Sequence, residues 1–242
     1  MPNVIVTGAS RGLGLGIAEK LVTAGYDVIA VARRRSDDLA RVRPIGPGQE
    51  GALKFRRFDL ADISGIPDFV RDLRKEFGPF YGLVNNAALG TSGVLAMMPV
   101  ARIEELVRLN LLSPLVLTRC VVRSMLAETR GRIVNIASIL GINGYAGVSV
   151  YSATKAALVG FTRALASEVG PSGITVNAVA PGFLKTDMTR DFADLRERVV
   201  RRAPLRRTAE IGDVAGAVEF LLGPGARNIT GTVLTVDAGS SL

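Results

Sequence analysis

The chain contains no histidine and no tryptophan, and its single cysteine is Cys120. Without an imidazole, triads built on a histidine base are excluded; with one thiol there is no internal disulfide and no cysteine metal cluster. No metal site is expected. Proton transfer near neutral pH must therefore fall to a tyrosine, lysine, aspartate or glutamate with a shifted pKa. Long apolar runs are also missing. The charge-free stretch from Ile133 to Thr154 is interrupted by Asn135, Gly141, Asn143, Gly144 and Gly147, the wrong pattern for a membrane span. Acidic residues are outnumbered, 22 against 30 basic ones, for a net charge of +8. The arginines are scattered through amphipathic segments, with no basic tail or aromatic-interleaved basic stripe. A solvated basic surface is the reading, and neither a nucleic-acid nor a membrane partner is expected.

The 242 residues, 48% of them apolar, are enough for one well-buried α/β domain covering residues 1–242. The first apolar run begins at Val4, which leaves no room here for a cleavable leader, and a cytoplasmic protein is expected. Short β-branched runs predict strands at Val4 to Val6, Val28 to Val31, Leu53 to Phe58, Gly82 to Val84, Arg132 to Ile136, Ile174 to Val179 and Thr232 to Val236. Helical periodicity covers Leu13 to Ala24, Ile66 to Phe77, Ile103 to Leu126, Tyr151 to Val169 and Ala209 to Leu222. Such alternation calls for a doubly wound, Rossmann-type parallel sheet of seven strands with helices on both faces, a three-layer α/β/α sandwich. The irregular, charged segment at about 183–207 reads as a mobile lid.

After the first strand comes Thr7-Gly8-Ala9-Ser10-Arg11-Gly12-Leu13-Gly14, running into a helix. Glycines permit a tight turn and close backbone approach, and a helix N-terminus offers N–H groups and a positive dipole to a pyrophosphate. The spacing is Gly-x3-Gly-x-Gly, which differs from the Gly-x-Gly-x-x-Gly dinucleotide fingerprint. The second strand ends in Ala32-Arg33-Arg34-Arg35, where an acid would select NAD and an arginine accommodates a 2′-phosphate. With Arg11 in the loop, this favours NADP(H), held by Gly8, Ser10, Arg11, Gly12, Leu13, Gly14, Arg33 and Arg34.

Tyr151 and Lys155 stand four residues apart on a predicted helix, so their side chains share a face. Lowering a phenol from a pKa near 10 to about 7 requires roughly 4 kcal/mol. One ammonium at about 4–5 Å in an effective dielectric near 20 supplies roughly 3–4 kcal/mol. The expectation is that Lys155 lowers the Tyr151 pKa.

With the loop from Thr7 to Gly14, Asn85-Asn86-Ala87, Asn110, Ser138, Tyr151-x3-Lys155 and Pro181-Gly182 in this order, the chain resembles the short-chain dehydrogenase/reductases over essentially its full length. Within them it looks most like the β-ketoacyl-acyl-carrier-protein reductases, through Gly131-Arg132-Ile133-Val134-Asn135, Gly173 to Asn177, Pro181 to Met188 and Ile229-Thr230-Gly231. The resemblance implies a homotetramer and hydride transfer between NADP(H) and a carbonyl. The substrate would be a 3-oxoacyl thioester on acyl carrier protein or coenzyme A, with a ketone or secondary alcohol of specialised metabolism as the alternative. A non-catalytic NADP(H)-binding regulator would have no need of the four polar residues that follow.

The implied roles are these. Tyr151 gives its proton to the carbonyl oxygen, Ser138 hydrogen-bonds that oxygen, Lys155 also binds the nicotinamide ribose, and Asn110 holds a water linking Lys155 to solvent. Asp59 and Leu60 flank the adenine, Asn86, Ala87 and Ala88 line the cofactor path, and Pro181, Gly182, Leu184 and Thr186 meet the nicotinamide end. The chain departs from the pattern at Ala88, where glycine is usual, and in Leu89-Gly90-Thr91-Ser92-Gly93, which lacks the basic-acidic pair of the carrier-protein reductases. The loop Gly170 to Gly173 also lacks an arginine for the acidic carrier. Arg130, Arg132 and the lid group Arg196, Arg198, Arg201, Arg202, Arg206 and Arg207 are the remaining candidates for that contact.

Overall fold

The computed structural model describes residues 1–43, 51–189 and 193–242, with side chains at 188 and 193–195 left aside. Its centre is a seven-stranded sheet in the order β3-β2-β1-β4-β5-β6-β7, parallel throughout. The strands are β1 Asn3–Thr7, β2 Asp27–Ala32, β3 Leu53–Arg57, β4 Phe80–Asn85, β5 Gly131–Ile136, β6 Ile174–Pro181 and β7 Val233–Val236. Each overlaps an expected strand. The helices are α1 Gly12–Thr23, α2 Asp37–Arg41, α3 Ile66–Phe77, α4 Val100–Val107, α5 Ser113–Ala127, α6 Ser149–Val169, α7 Ala193–Arg202 and α8 Ile211–Leu222.

A sheet buried on both faces needs apolar residues at consecutive positions. In β1, Val4 and Val6 face one core and Ile5 the other; in β2, Val28 and Ala30 oppose Ile29 and Val31. One face receives Ile17 and Leu21 of α1, Leu39 of α2 and Val214 and Val218 of α8. The opposite face receives Val70 of α3, Leu117, Val121 and Met125 of α5 and Leu165 of α6. A buried polar ladder crosses this second layer: Asn85 Nδ2 donates to Thr118 Oγ1 (2.9 Å) and Asn135 Oδ1 (2.8 Å), and Asn135 Nδ2 donates to Thr162 Oγ1 (2.9 Å). Through Thr118 and Thr162 this ladder ties α5 and α6 to the sheet, although the buried Asn85 Oδ1 itself has no partner among the described residues.

The structure corrects the expected helix Ile103 to Leu126. It is two α-helices joined by a π-helical turn at Arg108–Leu112, with Asn110 at its middle. By length and composition the combined stretch Val100–Ala127 could cross a membrane, but 50% of its apolar window is buried here. The last expected helix begins at Ile211 instead of Ala209, because Glu210 and Asp213 form a reciprocal capping box there. The short α2 was not anticipated; Ser36 caps it by accepting from Leu39 N at 3.1 Å. Of the expected lid at about 183–207, residues 190–192 lie outside the described residues. The rest is a short 3₁₀ turn at Asp187–Thr189, then α7 and a connection to α8.

Candidate active site

The strand order reverses between β1 and β4, so their carboxyl ends diverge and leave a crevice, the usual ligand position in open α/β sheets. Its floor is a clip between the two strands. Thr7 Oγ1 accepts from Asn86 N (2.9 Å) and Ala87 N (3.0 Å) and donates to Val84 O (3.2 Å), while Asn86 Nδ2 donates to Thr7 O (2.8 Å). Above it Gly8 turns at φ +66, and a Cβ there would lie 2.9 Å from Ala87 Cα. A Cβ on Gly14 would lie 2.3 Å from Gly8 O and 2.5 Å from Asn86 Nδ2, so α1 packs directly on this clip. Leu13 and Leu184 belong to the core beneath, Leu184 with 7% of its surface exposed.

The α1 N-terminus has no side-chain cap and no acid in its first turn. Its unpaired N–H groups and dipole therefore suit an anion. Ser36 Oγ donates to Ser10 O, which ties the β2–α2 loop to the phosphate loop. Arg33 and Arg34 are exposed, and no ion pair to either is found among the described residues. Arg11 pairs with Asp187, in the segment after β6, at 3.6 Å, and Thr186 lies 3.8 Å from the position a Gly12 Cβ would take. These residues fit a dinucleotide carrying a 2′-phosphate. Asp59 is exposed and accepts from Ala61 N (3.0 Å), and Leu60 is buried behind it. Ala88 is half-buried at the start of the loop after β4, and Pro181 ends β6 beside Val236.

Ser138 follows β5, and Tyr151 and Lys155 lie in the first turns of α6. The Ser138 hydroxyl accepts from Leu140 N at 3.2 Å and hydrogen-bonds the Tyr151 phenol. Lys155 is 3% exposed; its Nζ donates to Ile136 O at 2.7 Å and sits 5.7 Å from the Tyr151 ring centroid. One ammonium donor is spent on that carbonyl, and two are left over. Electrostatics correct the sequence reading. Burial pushes the Tyr151 phenol up to about 12, with the Ser138 hydrogen bond opposing, and burial alone pushes Lys155 down to about 8. Removal from water is the largest influence on both groups, and it acts against the charged form of each. Tyr151 is thus held as a protonated acid.

Asn110 has a second, structural task at the middle of the π turn. It is 1% exposed, and its carboxamide accepts from Leu89 N (2.8 Å) and donates to Leu89 O (2.9 Å) and Thr154 Oγ1 (3.4 Å). The side chain clamps the loop after β4 with both amide N–H groups and one oxygen lone pair, which leaves the second lone pair as an acceptor. Thr154 Oγ1 in turn donates to Tyr151 O at 2.7 Å. Gly182 has a packing role: a Cβ on it would lie 2.6 Å from Asp237 Cβ. Arg130 and Arg132 lie at the amino end of β5 over the Tyr81 ring, 5.9 and 5.8 Å from its centroid, at the opposite sheet edge from Ser138. Ser36, Thr154 and Asp237 were given no role by the sequence, and Thr7 and Leu89 stood there only as members of loops. Of these only Ser36, immediately before the acidic pair Asp37-Asp38, carried a readable signal as a helix cap.

A family model described as short chain dehydrogenase matches residues 2–196. The 3-oxoacyl-[acyl-carrier-protein] reductase FabG of Escherichia coli K12 is 38% identical over 236 residues, 97% of this chain and 95% of that protein. The Homo sapiens 3-oxoacyl-[acyl-carrier-protein] reductase is 38% identical over 98% of this chain and 97% of its own length. Among solved structures, a Beutenbergia cavernae protein described as a putative NAD(P)-dependent gluconate 5-dehydrogenase with bound NADP superposes with a TM-score of 0.91 at 35% identity, covering 99% of this chain and 96% of that one. ElxO with NADP bound gives a TM-score of 0.88 at 29% identity, over 99% and 98% of the two chains. Family match, relatives and a serine, tyrosine and lysine gathered at the crevice edge agree: the chain belongs to the short-chain dehydrogenase family.

Proposed function

We propose that the protein is a cytoplasmic, homotetrameric, NADPH-dependent reductase of 3-oxoacyl thioesters carried by acyl carrier protein or coenzyme A. The observation that carries the reading is the gathering of Tyr151, Ser138 and Lys155 at the edge of a crevice whose phosphate loop is uncapped and flanked by arginines. NADPH, when bound, supplies the hydride. Tyr151 donates its proton to the carbonyl oxygen of the substrate, and Ser138 donates a hydrogen bond to the same oxygen, stabilising the charge that develops there. Lys155 stabilises the phenolate left behind. Gly8, Gly12 and the first N–H groups of α1 hold the pyrophosphate, and Arg33 and Arg34 hold the 2′-phosphate. Relatives at 38% identity over nearly the whole chain act, by their names, on acyl-carrier-protein substrates, and two solved neighbours bind NADP.

The mouth of the crevice suits an acyl chain followed by an anionic carrier. Ile142, Tyr145 and Leu205 expose 52%, 42% and 60% of their surfaces, and Arg202 Nη1 donates to Tyr145 Oη at 3.5 Å. Arg196, Arg198, Arg201, Arg206 and Arg207 are exposed on and after α7. The test is nicotinamide absorbance with NADPH and NADH against a panel of 3-oxoacyl thioesters and plain ketones. Tyr151→Phe should lose on the order of 10²–10⁴ in turnover with little change in NADPH affinity. Turnover of free ketones alone would move the assignment to the alternative ketone reductase, and wild-type turnover in Tyr151→Phe would remove the proton donor.

A further inference from the structure

The end of the chain is folded around one carboxylate. Asp237, just past β7, is 7% exposed and accepts from Gly239 N (2.9 Å), Ser241 N (2.8 Å) and Ser240 Oγ (3.2 Å). Burial alone would raise its pKa, but the bonds from Ser241, Gly239 and Ser240 outweigh that and hold it below the ordinary carboxylate value. The turn also demands unusual backbone, with Ala238 at φ 57 and Gly239 at φ 82. An alanine in the left-handed region persists only where its surroundings over-determine it.

Three segments bordering the crevice meet this turn. Gly182, where the chain leaves β6 for the lid, abuts Asp237 so closely that a Cβ would sit 2.6 Å from the Asp237 Cβ. At the other end of the lid, a Cβ on Gly239 would lie 2.9 Å from Pro204 Cδ, and Leu205 N donates to Ala238 O at 3.4 Å. From the loop beyond Ser138, Asn143 Nδ2 donates to Ser241 O at 3.4 Å. One buried acid thus organises a turn that touches both roots of the lid and the loop carrying the oxygen-binding serine.

We propose that Asp237 is a positioning residue, whose carboxylate folds the C-terminal turn and thereby registers Gly182, Pro204 and Leu205 against the loop after Ser138. It touches neither substrate nor cofactor. Its kinetic consequence rests on the carbonyl-reductase reading, whereas its structural consequence does not.

The test uses the full chain with Asp237→Ala, Asp237→Asn and Gly239→Ala. Hydrogen exchange without substrate should show amides of 182–186, 203–206 and 140–144 exchanging about tenfold faster or more in Asp237→Ala, the scale of one lost hydrogen bond to a charged group, with α3 and β1 unchanged. Asp237→Asn, which can still accept from Gly239 N but not from Ser241 N, should fall between. Gly239→Ala keeps the carboxylate and disturbs Pro204 directly, so it should reproduce the pattern if Asp237→Ala fails to fold. For a thioester substrate, KM should rise about tenfold with kcat within about threefold and NADPH affinity unchanged. Wild-type exchange at the lid roots, or equal acceleration throughout the sheet, overturns the inference. So does faster exchange with an unchanged KM. A panel in which wild type reduces nothing counts against the functional reading and leaves the exchange result standing.

Discussion

Replacing Asn110 by alanine separates a loop clamp from a water ligand, because the two roles predict different observables. The carboxamide partners both the N–H and the C=O of Leu89 and reaches Thr154 Oγ1, all from a residue 1% exposed. An orphaned polar group costs about 1–3 kcal/mol when buried; with Leu89 half-buried, two such groups sum to roughly 2–3 kcal/mol. In a chain of this length about 1 kcal/mol moves Tm by roughly 2–4 °C, so the fall should be roughly 4–12 °C. Because Thr154 also donates to Tyr151 O, the turn of α6 that bears the acid loses support, and turnover should fall further than NADPH affinity. Asn110→Asp sharpens the test. It keeps an acceptor for Leu89 N but at neutral pH points an oxygen at Leu89 O. That contact raises the carboxyl pKa in the folded state, so its stability is present at low pH and lost as pH rises. This variant should regain Tm, relative to wild type, as pH is lowered through the carboxylate range. Thermal unfolding followed by calorimetry, with NADPH titration alongside, reads all three quantities. An Asn110→Ala protein that unfolds within about 1 °C of wild type while losing turnover would refute the clamp.

Arg33→Asp combined with Arg34→Ala should weaken NADPH relative to NADH by direct titration, since the swap replaces a 2′-phosphate partner by a ribose-hydroxyl acceptor; an unchanged preference would place that phosphate elsewhere. Lys155, lowered by burial to about 8, gives opposite signs to two measurements. Between about 8 and its ordinary value of 10.5 the unfolded chain binds a proton that the folded chain has released, so its contribution to stability rises with pH through that window. Turnover should fall as pH passes about 8, where the folded chain loses the ammonium. Lys155→Met should abolish the stability rise, and a wild-type pH–stability curve in that variant would show that Lys155 does not titrate there.

The sheet was legible because parallel strands buried on both faces write themselves as continuous β-branched runs, and all seven expected strands lie within or overlap observed ones. The arrangement around Asn110 was not. Periodicity from Ile103 to Leu126 passes smoothly over a π turn, because one extra residue per turn shifts the apolar stripe by less than the stripe is wide. The clip of Thr7 with Asn86 and the C-terminal turn around Asp237 were invisible for another reason. Their partners are separated by 79 residues in the first case, while in the second the local Asp237 bonds matter only through Gly182 and Pro204. Sequence spacing reports local geometry, and these contacts exist only once the sheet has brought distant loops to one edge.

The Tyr151 and Lys155 pair shows the same boundary in energetic form. A spacing of four residues says that the groups share a helix face, but nothing about how far from water that face lies. A Coulomb estimate at an effective dielectric near 20 therefore favoured a lowered phenol. In the structure burial acts on both partners in opposite directions, raising the phenol to about 12 and lowering the ammonium to about 8. Their order as acids is reversed from what a nearly matched pair would give: the ammonium is now the stronger acid. On the proposed mechanism this ordering drives a relay. Once Tyr151 has protonated the substrate oxygen, the phenolate is the strongest base nearby; Lys155 stabilises it by charge, then passes it a proton through an intervening hydroxyl, and the neutral amine left behind takes up a proton from solvent. Removing that supply by Lys155→Met should leave a first proton transfer in single-turnover experiments while depressing multiple turnovers, whereas equal loss in both would mean that Lys155 acts only by holding the phenol and cofactor in place.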